Sequence, residues 1–205
     1  MSETFADVGA AAVCAFHDSR VGLPQWAVTM APSFAEGVWH SIEANHRFNT
    51  LLWDEEDQAR RRDVADSAIA ANKRAIDGYN QKRNDAIERI DEALLARLAA
   101  VTPRAGAWHN SETAGAMIDR LSILALKVFH MRAQAERTDA DADHVASCGE
   151  KLARLIVQRN DLARCLDTLL VAAARGDAFW RIYRQFKMYN DPALNPYLYA
   201  KRAGS

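Results

Sequence analysis

Apolar residues recur every three or four positions along most of this chain, the spacing that gathers them on one face of an α-helix. The pattern predicts a short helix over residues 5–16, then an irregular stretch over 21–32 that Gly22, Pro24 and Pro32 break. Ser33 and Glu36 fit a capping box opening a long helix that runs to residue 64. A second long helix covers residues 67–100 and stops before Pro103 and Gly106. Cap residues at Asn110, Ser111 and Thr113 open a third, to residue 136, and a fourth follows over 143–174, ending near Gly176. An aromatic helix over 179–188 and a tail with two proline turns, 189–199, close the chain. Long helices with short connections predict an all-α, antiparallel bundle of about four helices. Residues 1–205 then form one domain: an N-terminal appendage (1–32), the bundle (33–176), and the aromatic helix and tail (177–205) packed upon it.

Polar residues interrupt this pattern at informative places. Set in heptads, the second long helix has one seam position at Ile69, Ile76, Arg83 and Ile90, and the other at Lys73, Asn80, Ile87 and Leu94. Lys73, Asn80 and Arg83 cluster mid-seam, and a buried charge there costs several kcal/mol unless it is paired. Either carboxylates from another helix pair with them, or they line a polar pocket. The first long helix carries a matching stripe, His46, Asn49, Trp53, Glu56 and Arg60, with Asp57 beside it and Glu43 above. A plain solvated face would not carry Trp53. In the third helix a core stripe of Met117, Leu121, Leu124, Val128 and Met131 is flanked by Asp119, Arg120, Lys127 and His130. Its N-terminus offers either an anion site or ordinary capping by Ser111 or Thr113.

Composition narrows the function classes. Alanine is abundant (39 residues) against 9 glycines and 5 prolines, which favours helices over turn-rich sandwiches or barrels. A net charge of −1 gives no basic excess for nucleic acid. No run of apolar residues is long enough to span a membrane, and the first twenty residues lack the basic start of a secretory signal. Cys14, Cys148 and Cys165 have no CxxC spacing, so zinc and a disulfide framework are not expected, and the cytoplasm is the expected compartment. Glu43 and His46 have the ExxH spacing of di-iron bundles, but no second ExxH accompanies them, so no metal is expected. No phosphate-binding glycine loop or nucleophile elbow occurs, and the sequence leaves any cofactor unknown.

Four blocks carry a resemblance. They are His46-x-x-Asn49-x-x-Leu52-Trp53-x-x-Glu56-Asp57, then Lys73-Arg74-x-Ile76-Asp77-x-x-Asn80-Gln81-x-Arg83-Asn84-Asp85, then Asn110-Ser111-Glu112-Thr113-x-Gly115-x-x-Ile118-Asp119-Arg120 through Lys127 and His130, and the tail from Tyr183 to Tyr197. Together they resemble a bacterial family catalogued as domain of unknown function 4254, with Asp54 standing where that family often has His. The resemblance implies a mostly helical protein with a role near glycosyltransferases and surface polysaccharides. It supplies no catalytic residues.

On the first expectation, a polar pocket inside the bundle binds an anionic small molecule, a sugar phosphate or sugar nucleotide. Asn49, Glu56, Lys73, Asn80, Arg83, Asn84, Glu112 and Lys127 are the binding candidates, and His46, Asp57 and Asp119 the catalytic ones. Arginine suits a bidentate grip on phosphate or carboxylate, and histidine beside a carboxylate suits proton transfer near neutral pH. The alternative is a non-enzymatic helical adaptor or homodimer that partners a glycosyltransferase through its tail aromatics.

Overall fold

A computed structural model describes residues 3–184 and 191–199. A 3-10 turn, Glu3–Val8, leads into α1 (Ala10–Val21) and the single-turn α2 (Trp26–Thr29). Four long helices follow: α3 (Gly37–Gln58), α4 (Asp66–Ala96), α5 (Ala114–Ala135) and α6 (Ala142–Ala174). A last turn, α7, spans Pro196–Tyr199. The short connections between α3 and α4 and between α5 and α6 fold each pair into an antiparallel hairpin, and these two pairs share the most extensive contacts. The all-α bundle that the apolar spacing predicts is therefore the fold.

Helix α5 is the central one, touching α1, α3, α4 and α6. Its sequence explains this position. From Leu121 to Leu126 it carries no charge, and its buried residues lie on most of its circumference. Ile118, Leu121, Leu166, Leu169, Leu170, Ile90 and Leu94 meet in one core. Phe5, Val8 and Val13 belong to that same core, so the N-terminal segment packs into the bundle. The Asp167 carboxylate of α6 accepts from the Ala10 amide at 2.8 Å and so supplies the cap that α1 lacks in its own sequence.

Several boundaries differ from expectation. The Ser33–Glu36 capping box does not form. Instead α3 starts at Gly37, and the Glu43 carboxylate reaches back to accept from the Ser33 amide at 2.7 Å. No helix starts at Phe179. Gly176, at φ +77, turns the chain, and Ala178–Phe179 pairs in parallel as β2 with β1, Trp108–His109. Residues 180–184 then continue without regular structure, and the rest of the expected aromatic helix lies outside the described residues. The two-strand clip is extended by Arg104 N–H donating to Gly176 O at 2.8 Å and Asn110 N–H to Phe179 O at 2.9 Å. Cys148 is buried, whereas Cys165 is exposed.

Helices α4 and α5 approach closely at Gly115. A Cβ there would stand 2.6 Å from Ile87 O and 2.8 Å from an Asp91 carboxylate oxygen, so one of them would have to move. Gly115→Ala is expected to lower the unfolding free energy by about 1–3 kcal/mol in urea titrations. Gly149 is also helical but has open space around it. Gly149→Ala is expected to raise stability by roughly 0.5–1 kcal/mol.

Candidate functional site

The middle of α3 turns a run of polar side chains inward. Asn45, His46 and Asn49 are buried and meet Asp119 and Ser122, which are buried on α5. Asp119 Oδ1 accepts from Asn45 Nδ2 at 2.8 Å and from Asn49 Nδ2 at 2.9 Å. Arg83 reaches in from α4, its Nε 3.3 Å from that same oxygen, and its Nη1 donates to Asn80 Oδ1 at 3.4 Å. Asn49 also donates to Ser122 Oγ at 3.0 Å, and Ser122 Oγ lies 2.7 Å from His46 Nδ1. The hydroxyl accepts from Asn49 and has a second lone pair and one proton, so it can meet His46 Nδ1 as acceptor or as donor.

His46 is thus a core residue. Burial pushes its pKa down to about 3, and nearby Arg159 and Arg20 oppose its charging further. Its ring stacks on Trp26 at 5.3 Å and lies 4.4 Å from the His17 ring, while the Arg47 guanidinium lies over the Trp26 ring at 4.9 Å. Nε2 of His46 is buried without a hydrogen-bond partner among the described residues. The expectation that His46 sits beside a carboxylate as an acid or base is not met in this arrangement: its partner is the Ser122 hydroxyl, and it is not among the residues lining the cavity beyond this network.

Outward from this network lies a cavity of about 330 Å³. Helix α3 gives it Asn49, Leu52, Trp53, Glu56 and Asp57; Arg60 follows from the turn; α4 gives Asn80 and Arg83; α5 gives Ile123 and Leu126. The sequence candidates Asn49, Glu56, Asp57, Asn80 and Arg83 therefore converge in one place. Glu56 and Arg60 form an ion pair at 3.0 Å on the rim. The walls hold two carboxylates and two guanidiniums over an apolar floor.

Arg83 also borders a second cavity of about 350 Å³, which Asn84, Glu112 and Asp119 line together with Asp91, Ser111, Thr113, Arg120 and Tyr183. Glu112 is held by Arg120 through bonds of 2.7 and 2.8 Å. Lys127 lies elsewhere, with Glu112 and Arg120 along the groove between α5 and α6. Lys73 is the clear misplacement. It is exposed on α4, pairs with Asp77 at 2.6 Å, and lines none of these cavities.

Sequence reasoning missed Asp91 and the role of Asn45 and Ser122. Asp91 Oδ1 accepts from the Gly115 amide at 2.8 Å, while Thr113 Oγ1 accepts from Ala116 N–H at 3.1 Å. Of the two readings of this helix start, capping by Thr113 is the one that forms, and the Asp91 carboxylate of α4 adds a negative charge at the positive end of α5. Among the described residues no set of three or more His, Cys, Asp or Glu side chains converges as metal ligands would, and no helix is long and apolar enough to cross a membrane.

An all-α bundle with a polar, ligand-sized cleft between three of its helices is the class these features define. Residues 39–182 match the family described as "Protein of unknown function (DUF4254)", and the chain belongs to that family. The match takes in every residue lining the first cavity. No curated protein and no solved structure matches the chain.

Two stability predictions follow from the buried carboxylates. Asp119→Ala leaves the Asn45 and Asn49 amides and the Arg83 guanidinium without their acceptor, and is expected to cost about 3–5 kcal/mol in chemical denaturation. Asp91 differs, because burial pushes its carboxyl up to about 6 against the bonds from Thr113 and Gly115. A group raised in the folded state stabilises it fully below the unfolded value, near 4, and loses that contribution as pH rises through about 6. Relative to Asp91→Asn, the wild type is expected to lose about 1–3 kcal/mol of unfolding free energy between pH 4 and pH 7. A difference that does not change with pH would contradict this assignment.

Proposed function

We propose that the cleft between α3, α4 and α5 binds a small hydroxylated molecule bearing one anionic group, of the sugar phosphate class. The observation that carries the reading is the convergence of Asn49, Trp53, Glu56, Asp57, Asn80 and Arg83, drawn from two helices, on one cavity. Amides and carboxylates suit hydroxyl groups, an indole suits the apolar face of a sugar ring, and a guanidinium suits a phosphate or carboxylate. Volume and charge favour the smaller ligand. About 330 Å³ lies at the low end of ligand pockets, and two carboxylates against two guanidiniums leave no excess positive charge for a diphosphate. A sugar nucleotide is the larger alternative.

The family resemblance supports placing this role in bacterial surface-polysaccharide metabolism. Cysteines that form no disulfide fit the reducing cytoplasm. Of the three catalytic candidates, Asp57 is the one that faces this cavity. His46 lies behind it, and Asp119 is committed to Asn45, Asn49 and Arg83. Binding is therefore the primary proposal, and Asp57 is where turnover would be sought.

A second reading has its own support. Leu194, Tyr197 and Leu198 are exposed at the C-terminal end, Tyr197 by 86%. Such a tail suits a homodimer or a glycosyltransferase partner, and its removal would then dissolve the complex without altering the bundle.

The test is a thermal-melt and calorimetric screen against sugar phosphates, sugar acids and sugar nucleotides. A ligand at a hundred times its dissociation constant stabilises by about 2.7 kcal/mol, a rise of roughly 5–10 °C for a chain of this size. Arg83→Gln is expected to weaken binding by about 1.5–3 kcal/mol. A variant that melts lower but binds as the wild type does would make Arg83 purely a partner of Asp119 and would remove the basis of the proposal.

A further inference from the structure

Trp53 is held from behind. Its ring lies 4.5 Å from the His130 ring at an interplanar angle of 4°, close to parallel. Trp53 is on the wall of the cleft, whereas His130 belongs to α5 and meets Phe129 edge-on at 5.3 Å. The carboxylates that face the imidazole, Asp54 and Asp57, both come from α3. Indole rings at the surface of a cleft turn readily about their side-chain bonds unless something fills the space behind them. A parallel ring from a second helix fills that space and fixes the plane that a ligand would meet.

We propose that His130 is a positioning residue: it holds the Trp53 indole flat so that its cleft-side face serves as the stacking surface for the sugar ring, leaving Arg83 to take the anionic group. The proposal rests on the reading of the cleft as a sugar phosphate site. It assigns the two ends of the ligand, ring on Trp53 and anion on Arg83, and makes the platform a product of two helices.

Trp53 itself provides a spectroscopic readout that needs no ligand. A protonated imidazole in contact with an indole quenches its fluorescence, and a neutral one does so far less. Burial lowers the His130 pKa while Asp57 and Asp54 work against that, so the quenching step belongs at a pH below that of a free histidine. The fluorescence difference between wild type and Trp53→Phe should show this step, and His130→Phe should abolish it. A Trp53 signal that is flat with pH would mean that the two rings are not stacked and would overturn the proposal.

Binding is then measured with glucose 6-phosphate and glucuronic acid at pH 8, where neither the phosphate nor the imidazole changes its charge. His130→Ala is expected to weaken both probes roughly tenfold, and His130→Phe, which restores a flat ring, to recover most of the loss. Trp53→Ala should be at least as damaging. If His130→Ala binds as the wild type while Trp53→Ala and Arg83→Gln do not, the positioning role is wrong and the cleft reading stands. If Trp53→Ala and Arg83→Gln both bind normally, or no probe binds the wild type, the cleft reading fails and the positioning role with it.

Discussion

One buried carboxylate organises the centre of this protein. Asp119 sits in the central helix, and its charge must find partners there or the helix cannot be central. Those partners come from two other helices, Asn45 and Asn49 from α3 and Arg83 from α4. Apolar contacts alone tolerate sliding by a turn; two hydrogen bonds from α3 and an ion pair from α4 on a single oxygen do not. The register of three helices is thus tied to one atom, Asp119 Oδ1. Arg83 is only partly drawn into this arrangement, and the rest of its guanidinium borders two cavities. The same interaction that sets the packing therefore also aims the residue proposed to hold a ligand.

Much of this was legible in the sequence because helical spacing turns a list of residues into a face. The stripe from Asn49 to Arg60 and the polar interruptions at Asn80 and Arg83 do meet in the cleft. Lys73 shows where the spacing misleads. A strict heptad places it in line with Asn80, but a straight α-helix drifts by about 20° per heptad. Counting back eleven residues from Arg83, close to three full turns, gives Asn72, and Asn72 is the buried one, donating to Glu55 at 2.6 Å. Lys73 stands two heptads before Ile87 in that seam, where the drift reaches about 40°, and it faces solvent.

Other features had no periodic signal to reveal them. His46 lies on the same stripe as Trp53, yet it is buried because His17 and Trp26 cover it. Those residues come from a short helix and a single turn in a stretch broken by glycine and prolines, where spacing says nothing about position. Asp91 looked like one acid among several on α4. Only the approach of Gly115, a residue with no side chain to announce it, makes that carboxylate the cap of α5. The aromatic segment after Gly176 read as a helix because of its residue types, but its backbone is claimed by β1. Main-chain pairing across seventy residues leaves no mark in the pattern of apolar positions.

The clip between Trp108–His109 and Ala178–Phe179 has a kinetic consequence. Each helical hairpin closes through neighbours in the chain, so α3 with α4, and α5 with α6, assemble at small cost in loop entropy. The clip joins segments that flank the whole α5–α6 hairpin, and it gains little until that hairpin is in place. It therefore forms after the main barrier, and what it contributes is a brake on opening more than a push toward folding. The few hydrogen bonds of β1 and β2 act as a latch, setting how long the bundle stays closed once it has closed.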